Sequence, residues 1–301
     1  MPFVRIVERK LVSMKFYKYQ GAGNDFLISD NRDGRIKVDS GIIHLVSVNG
    51  EAEAKIDIAS LCDRRYGIGA DGLMLLEKSE AHDFRMVYFN SDGSGGMMCG
   101  NGGRCIVAFS ADCGITSFDF EAADGFHTAQ ILSDEDGVKT VRLKMKDVTE
   151  ITRYESLDGV SSESDGWFLD TGTRHYIRKV EGLESYDVVR LGRELRFNAR
   201  AFLPVGVNVN FIEQDGRVLK VRTYEKGVED ETFACGTGIV ASCVAAYASG
   251  MAPSRISENG RVCFDVKAKR DSLSVDFLPG SPASDVWLTG PAVFVAEVVI
   301  K

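Results

Sequence analysis

Two short segments constrain this chain more than anything else in it. "MMCGNGGRC" (residues 97–105) and "ACGTGIVASC" (residues 234–243) each set a cysteine directly before a glycine-rich run. Cys99 and Cys235 stand 136 residues apart, close to half of the 301-residue length. A tyrosine, Tyr88 or Tyr224, lies eleven residues before each cysteine, and a glycine follows it directly and again at the third position. A further glycine, Gly114 or Gly250, comes fifteen residues on, the residue type expected just past a helix C-terminus. A weaker echo pairs "NDFLI" (residues 24–28) with "RHYIR" (residues 174–178). Repetition at this distance predicts two halves of one design.

Between these segments run many short β-like stretches punctuated by turn residues, among them "KFYKYQ", "DFLISD", "GLMLLEK", "DFRMVYFN", "TVRLKMKDV", "VLKVRTYE" and "SLSVDFL". Helical patterns are fewer and are expected over residues 54–66, 100–113, 188–195 and 236–249. The expected class is α+β: two pseudo-symmetric domains, each rich in antiparallel strand around a central helix. The boundaries are set at 14–145 and 146–287, with 288–301 returning to the first half. Residues 1–13 read as an extension, because the β-patterned run begins at its own methionine, Met14.

Composition narrows the function. The net charge is −8, and no Lys/Arg run exceeds a pair, which argues against nucleic acid as a partner and for a small-molecule substrate. No run of about eighteen apolar residues predicts a membrane span. Seven cysteines without a C-x-x-C pair fit neither a disulfide framework nor a zinc site, and point to a reducing cytoplasm.

A cysteine immediately before a helix start is a chemical arrangement. The unpaired N–H groups of the first turn and the positive end of the helix dipole are expected to lower the thiol pKa and to hold an anion. Two such cysteines across one cleft suit proton exchange at a stereocentre: one sulfur removes the α-proton as the other delivers one to the opposite face. The converging N–H donors would stabilise the developing carboxylate charge, so no pyridoxal, nicotinamide or metal cofactor is called for. The pair would titrate together. Cys62, Cys105, Cys113, Cys243 and Cys263, inside helices and strands, read as inert core or helix residues, and Phe26 and Phe211 as core.

With "GAGNDF", "FNSDGSGGMMCGNGGRC", "GVNVNF" and "YEKGVEDETFACGTG" in this order, the chain from Met14 onward resembles the diaminopimelate epimerase family. The resemblance implies a cofactor-independent isomerase that interconverts LL- and meso-diaminopimelate in lysine and peptidoglycan precursor synthesis. It implies Cys99 and Cys235 as the acid/base pair, with His175 and Glu225 tuning their pKa values. Substrate contacts carried over are Asn24, Asn90, Asn208, Thr173, Glu225 and Lys226, with Gly100, Asn101, Gly236 and Thr237 around the α-carboxylate. A homodimer is loosely suggested.

The chain departs from the family pattern at five positions. Lys226 replaces an arginine, Thr173 an asparagine, Arg174 a proline, Gly72 a glutamine and Gly95 an acid. None touches the cysteine pair; all bear on the distal end of the substrate. Three other readings are a racemase of another amino acid on the same scaffold, a thiol redox or binding protein with Cys99 and Cys235 as a disulfide, and a nucleotide-binding module. The last lacks a G-x-G-x-x-G or P-loop match after a strand.

Overall fold

The computed structural model describes residues 14–46 and 52–300. The segment 1–13, expected to be an extension ahead of Met14, lies outside the described residues. The first half opens with the hairpin β1 (Met14–Gly21) and β2 (Asn24–Asp30), followed by β3 (Ile36–Asp39), β4 (Ile42–Val46) and β5 (Ala52–Asp57) as a separate small sheet. A one-turn helix α1 (Ile58–Cys62), β6 (Gly72–Glu77), β7 (Phe84–Asn90) and α2 (Gly100–Asp112) come next. The half ends in β8 (Asp119–Ala122), β9 (Gly125–Glu135) and β10 (Val138–Lys144).

The second half comprises β11 (Ile151–Tyr154), β12 (Gly166–Asp170), β13 (Arg174–Lys179), α3 (Val188–Asn198), β14 (Asn208–Asp215) and β15 (Val218–Glu225). It continues through β16 (Asp230–Thr232), α4 (Gly236–Ala248), β17 (Arg255–Ile256), β18 (Val262–Lys267), β19 (Ser272–Pro279) and β20 (Ala283–Ile300).

Strand pairing closes two barrels. The first runs β1–β2–β6–β7–β8–β9–β10–β20 and returns to β1. The second runs β11–β12–β13–β14–β15–β18–β19–β20, with a Val148–Ala283 bridge between the last strand and the lead into β11. Each contains two parallel neighbours: β2 with β6 and β7 with β8 in one, β13 with β14 and β15 with β18 in the other. Parallel pairing demands a long crossover. The first crossover of each barrel lies outside it, carried by β3–β5 with α1 in one half and by α3 in the other. The second crossover passes through the interior, and it is the helix α2 or α4.

Composition explains why a helix fits there. An eight-stranded barrel leaves an interior only as wide as packed side chains. The two helices are built largely from Gly, Ala, Ser, Cys and Val, and residues 100–110 of α2 and 238–246 of α4 are buried. A helix buried on all sides has no polar stripe. Both end alike: Gly114 and Gly250 take φ of +86° and +83°, with Ile115 and Met251 donating back to the carbonyls of Ser110 and Ala246.

Two expectations are corrected. Residues 54–66 are not one helix, because 52–57 pair as a strand with β4 and only 58–62 turn. Asp57 caps that turn through Ser60 N–H, and Asp63 ends it by accepting from Arg65 and Tyr66 N–H. The matched tyrosines are also not equivalent. Tyr88 faces the barrel interior and the site, whereas Tyr224 is fully buried on the outer face under α3, against Gly192. The recurrence of the fold rests on the strand order rather than on those tyrosines. No helix among the described residues is long and apolar enough to cross a membrane.

Candidate active site

The interior helices α2 and α4 begin at the same place. A methyl group on Gly100 would sit 3.7 Å from the Gly236 Cα and 3.2 Å from Leu288 Cδ2, and one on Gly236 would sit 3.5 Å from the Gly100 Cα. Glycine at both positions is therefore what lets the two N-termini meet. Their positive ends converge on a cavity of about 690 Å³ that takes its walls from both halves. Cys99 and Cys235 are the residues that precede the two helices, and both line it.

The expected site residues Asn24, Asn90, Gly100, Asn101, Thr173, Asn208, Glu225, Lys226, Gly236 and Thr237 line this cavity as well. His175 does not: it is fully buried one layer behind Thr173 and Thr237. Its Nδ1 lies 2.9 Å from Asn210 Oδ1, and its Nε2 lies 2.8 Å from Thr173 Oγ1 and 3.0 Å from Thr237 Oγ1. Burial lowers the His175 pKa to about 4, so the ring is neutral near pH 7.

The thiols differ from the expectation that a helix start lowers their pKa. Desolvation by the surrounding walls pushes the Cys99 thiol up although the residue itself is open to the cavity, against the Gly102 N–H donated to its sulfur at 3.2 Å and the nearby Arg104. Cys235 is pushed up to about 12, by burial first and the Glu225 carboxylate second, against the Thr237 hydroxyl and the Gly238 N–H. Glu225 is itself raised, by burial and then by the Asp71 charge. Desolvation and a shared carboxylate outweigh the helix ends at this junction.

Much of the expected substrate machinery is engaged with protein partners. Asn24 accepts from Asn101 Nδ2 at 2.7 Å and donates to Asp71 at 2.8 Å. Asn208 accepts from Lys226 N–H and donates to the Arg174 carbonyl, which fixes the two loops bearing those cations on the wall. Asn90 donates to Ser94 Oγ at 3.0 Å across its own turn.

Several contributors are not read as site residues from the sequence. Asp71, Tyr88, Met97, Met98 and Asp170 also line the cavity, and Phe26, assigned to core, forms part of its floor. Arg104 is fully buried under the helix junction. It donates to Gly100 O, Asn101 Oδ1 and Pro291 O, all of them neutral acceptors. A buried guanidinium that, among the described residues, is held by neutral oxygens adds positive potential where the two helix ends meet. Its signal in the sequence is the arginine that closes the first cysteine-glycine run.

The family profile described as diaminopimelate epimerase matches residues 16–149 and 167–277. The chain belongs to the diaminopimelate epimerase family. Its members place it among the isomerases, as an epimerase. A protein of Flavobacterium psychrophilum named diaminopimelate epimerase is 37% identical over 290 residues, covering 95% of this chain and 100% of that one. One from Chlorobaculum tepidum with the same name is 39% identical over 281 residues, covering 90% and 95%. In structure, a phenazine biosynthesis PhzF-family protein of Bacillus anthracis aligns with a TM-score of 0.67 at 15% identity, covering 97% of this chain and 100% of that one. A hydroxyproline epimerase of Agrobacterium vitis aligns at 0.62 and 16%, covering 96% and 91%. At these identities the two structures speak for the fold alone.

Proposed function

We propose that this chain converts LL-diaminopimelate to meso-diaminopimelate by passing protons between Cys99 and Cys235. The observation that carries the reading is the meeting of two helix N-termini, each preceded by a cysteine, on one cavity shared by both halves. A carboxylate at Gly100, Asn101, Gly236 and Thr237 receives N–H donors from two directions. That placement spreads the charge of an α-carbanion and puts a sulfur on either side of the carbon. One sulfur is thiolate and takes the proton; the other is thiol and gives one; the roles exchange with direction. Glu225 and His175 set the ionisation of the pair, while Asn24, Asn90, Asn208 and Lys226 hold the rest of the substrate.

The duplicated design extends to the boundaries: 14–145 and 146–287 are two copies of one unit, with 288–301 crossing back into the first. The pairing of β20 with β19, β10 and β1 supports this division. The seven free cysteines favour a reducing cytoplasm, where lysine and peptidoglycan precursors are made, and a homodimer is the assembly to test by light scattering.

The test is NMR of the reduced protein with LL-diaminopimelate in deuterated water. α-Deuterium incorporation with appearance of the meso isomer is expected for the native chain. Cys99→Ser and Cys235→Ala should each lose at least about a thousandfold in turnover, because a two-base inversion cannot proceed with one base. Near-native turnover in either variant overturns the mechanism. Absence of exchange with intact thiols overturns the substrate and moves attention to other amino acids.

A further inference from the structure

His175 cannot reach the cavity, yet it is one hydroxyl away from Cys235. Its tautomer follows from the network. Asn210 Nδ2 donates to Thr223 Oγ1 at 2.8 Å, which turns Asn210 Oδ1 toward the ring, so His175 Nδ1–H donates and Nε2 is left as a bare acceptor. Two hydroxyls lie within reach of that one lone pair: Thr173 Oγ1 at 2.8 Å and Thr237 Oγ1 at 3.0 Å. They are 3.0 Å from each other, and Thr237 Oγ1 is 3.4 Å from Cys235 Sγ.

Counting protons separates the two hydroxyls. When Cys235 is a thiolate, its sulfur calls on a hydroxyl donor beside the Gly238 N–H, His175 Nε2 needs a donor of its own, and each threonine has a single O–H. When Cys235 is a thiol, its S–H donates to Thr237 Oγ1, and the Thr237 proton is free to turn to His175 or Thr173. We propose that Thr173 is a positioning residue for Cys235: by donating to His175 Nε2 it leaves the Thr237 hydroxyl free to donate to Cys235 Sγ whenever that sulfur is negative. Without Thr173, the buried His175 nitrogen and the thiolate compete for the Thr237 proton, and ionising Cys235 leaves either the nitrogen bare or the sulfur on the Gly238 N–H alone. An unsatisfied buried acceptor is costly. The proposal rests on Cys235 being one of the two proton carriers.

The other groups around Cys235 are Glu225 from the end of β15, Cys99 from the start of α2, Asp170 from the end of β12, and Arg174 and Lys226 on the cavity wall. All are retained in variants at Thr173. That residue is exposed on the cavity side, so its replacement leaves the core intact.

The experiment follows alkylation of Cys235 by iodoacetamide against pH in the full-length reduced chain, with each cysteine quantified by peptide mass spectrometry. Thr173→Ala should make alkylation of Cys235 about tenfold slower at each pH on the acid side of its titration, as for a midpoint raised by one unit, with no comparable slowing at Cys99. Thr173→Ser should restore the native rate. An unslowed Cys235 in Thr173→Ala, an equal slowing at Cys99, or a serine variant that behaves like alanine would each overturn the proposal. The readout needs no substrate, so failure of the deuterium-exchange experiment and failure of this one are separate results.

Discussion

Cys99 and Cys235 occupy corresponding places in the two barrels, but their surroundings are not alike. A methyl on Gly102 would meet Met74 Cε and Phe26 Cζ, each at 3.5 Å, with Tyr88 edge-on to Phe26 at 5.9 Å. A methyl on Gly238, the equivalent glycine, would meet Asn210 Nδ2 at 2.4 Å and His175 Cε1 at 3.1 Å. One sulfur stands on an apolar floor, the other on a hydrogen-bonded one. Glu225 acts on both, since its charge raises each thiol. Removing that charge should ease ionisation of the first thiol. The acid limb of kcat/KM is therefore expected to move to lower pH in Glu225→Gln, by on the order of one unit. A pH profile of deuterium exchange checks this, and a limb displaced to higher pH would contradict the sign.

At the scale of elements, the site depends on how closely the strands approach the start of each interior helix. Gly238 lies in the first turn of α4 with the Asn210 amide directly against it. Gly238→Ala has to displace Asn210 and with it His175, so overpacking should cost about 1–3 kcal/mol of stability, and turnover should fall with it. Denaturant unfolding and exchange kinetics on the same variant measure both. Loss of turnover at unchanged stability would place the effect on the His175 network alone. Gly114 lies at the far end of α2, where a methyl group would meet nothing within 4 Å, so its role is its left-handed φ and not space.

At the scale of the whole molecule, β20 is the strand on which both barrels depend. Residues 283–289 pair with β19, 287–293 with β10, and 293–300 with β1. β10 has no such double role: it pairs with β9 and β20 inside the first barrel, and a separate strand, β11, starts the second beside β12. Ending the chain after Ala292 should open the first barrel along β1 and uncover Phe16 and Tyr19. The loss should approach the whole stability of a domain, about 5–15 kcal/mol, and show as a lost cooperative melt or a lost soluble yield. A truncated chain with a native-like thermal transition would contradict this view of β20.

Much of the fold is legible in the chain alone. The two cysteine-glycine runs mark the paired helices, their start and their terminal glycines, because those signals are local: a cap, a left-handed residue, a run of small residues. The alternating strands read equally well where one face is buried. The helix expected at 54–66 fails because pairing with β4 overrides a propensity, and the matched tyrosines mislead because spacing along a strand does not say which face is inward. Order in the chain places His175 near the site, but not behind Thr237. The sequence by itself determined that two similar units exist, each with a cysteine at a helix start, since those are properties of short segments. Only the tertiary structure decided that the two helix ends meet, that a buried Arg104 lies beneath them, and that desolvation by the cavity walls, with Glu225, raises both thiols. Those depend on groups far apart in the chain sharing one low-dielectric space.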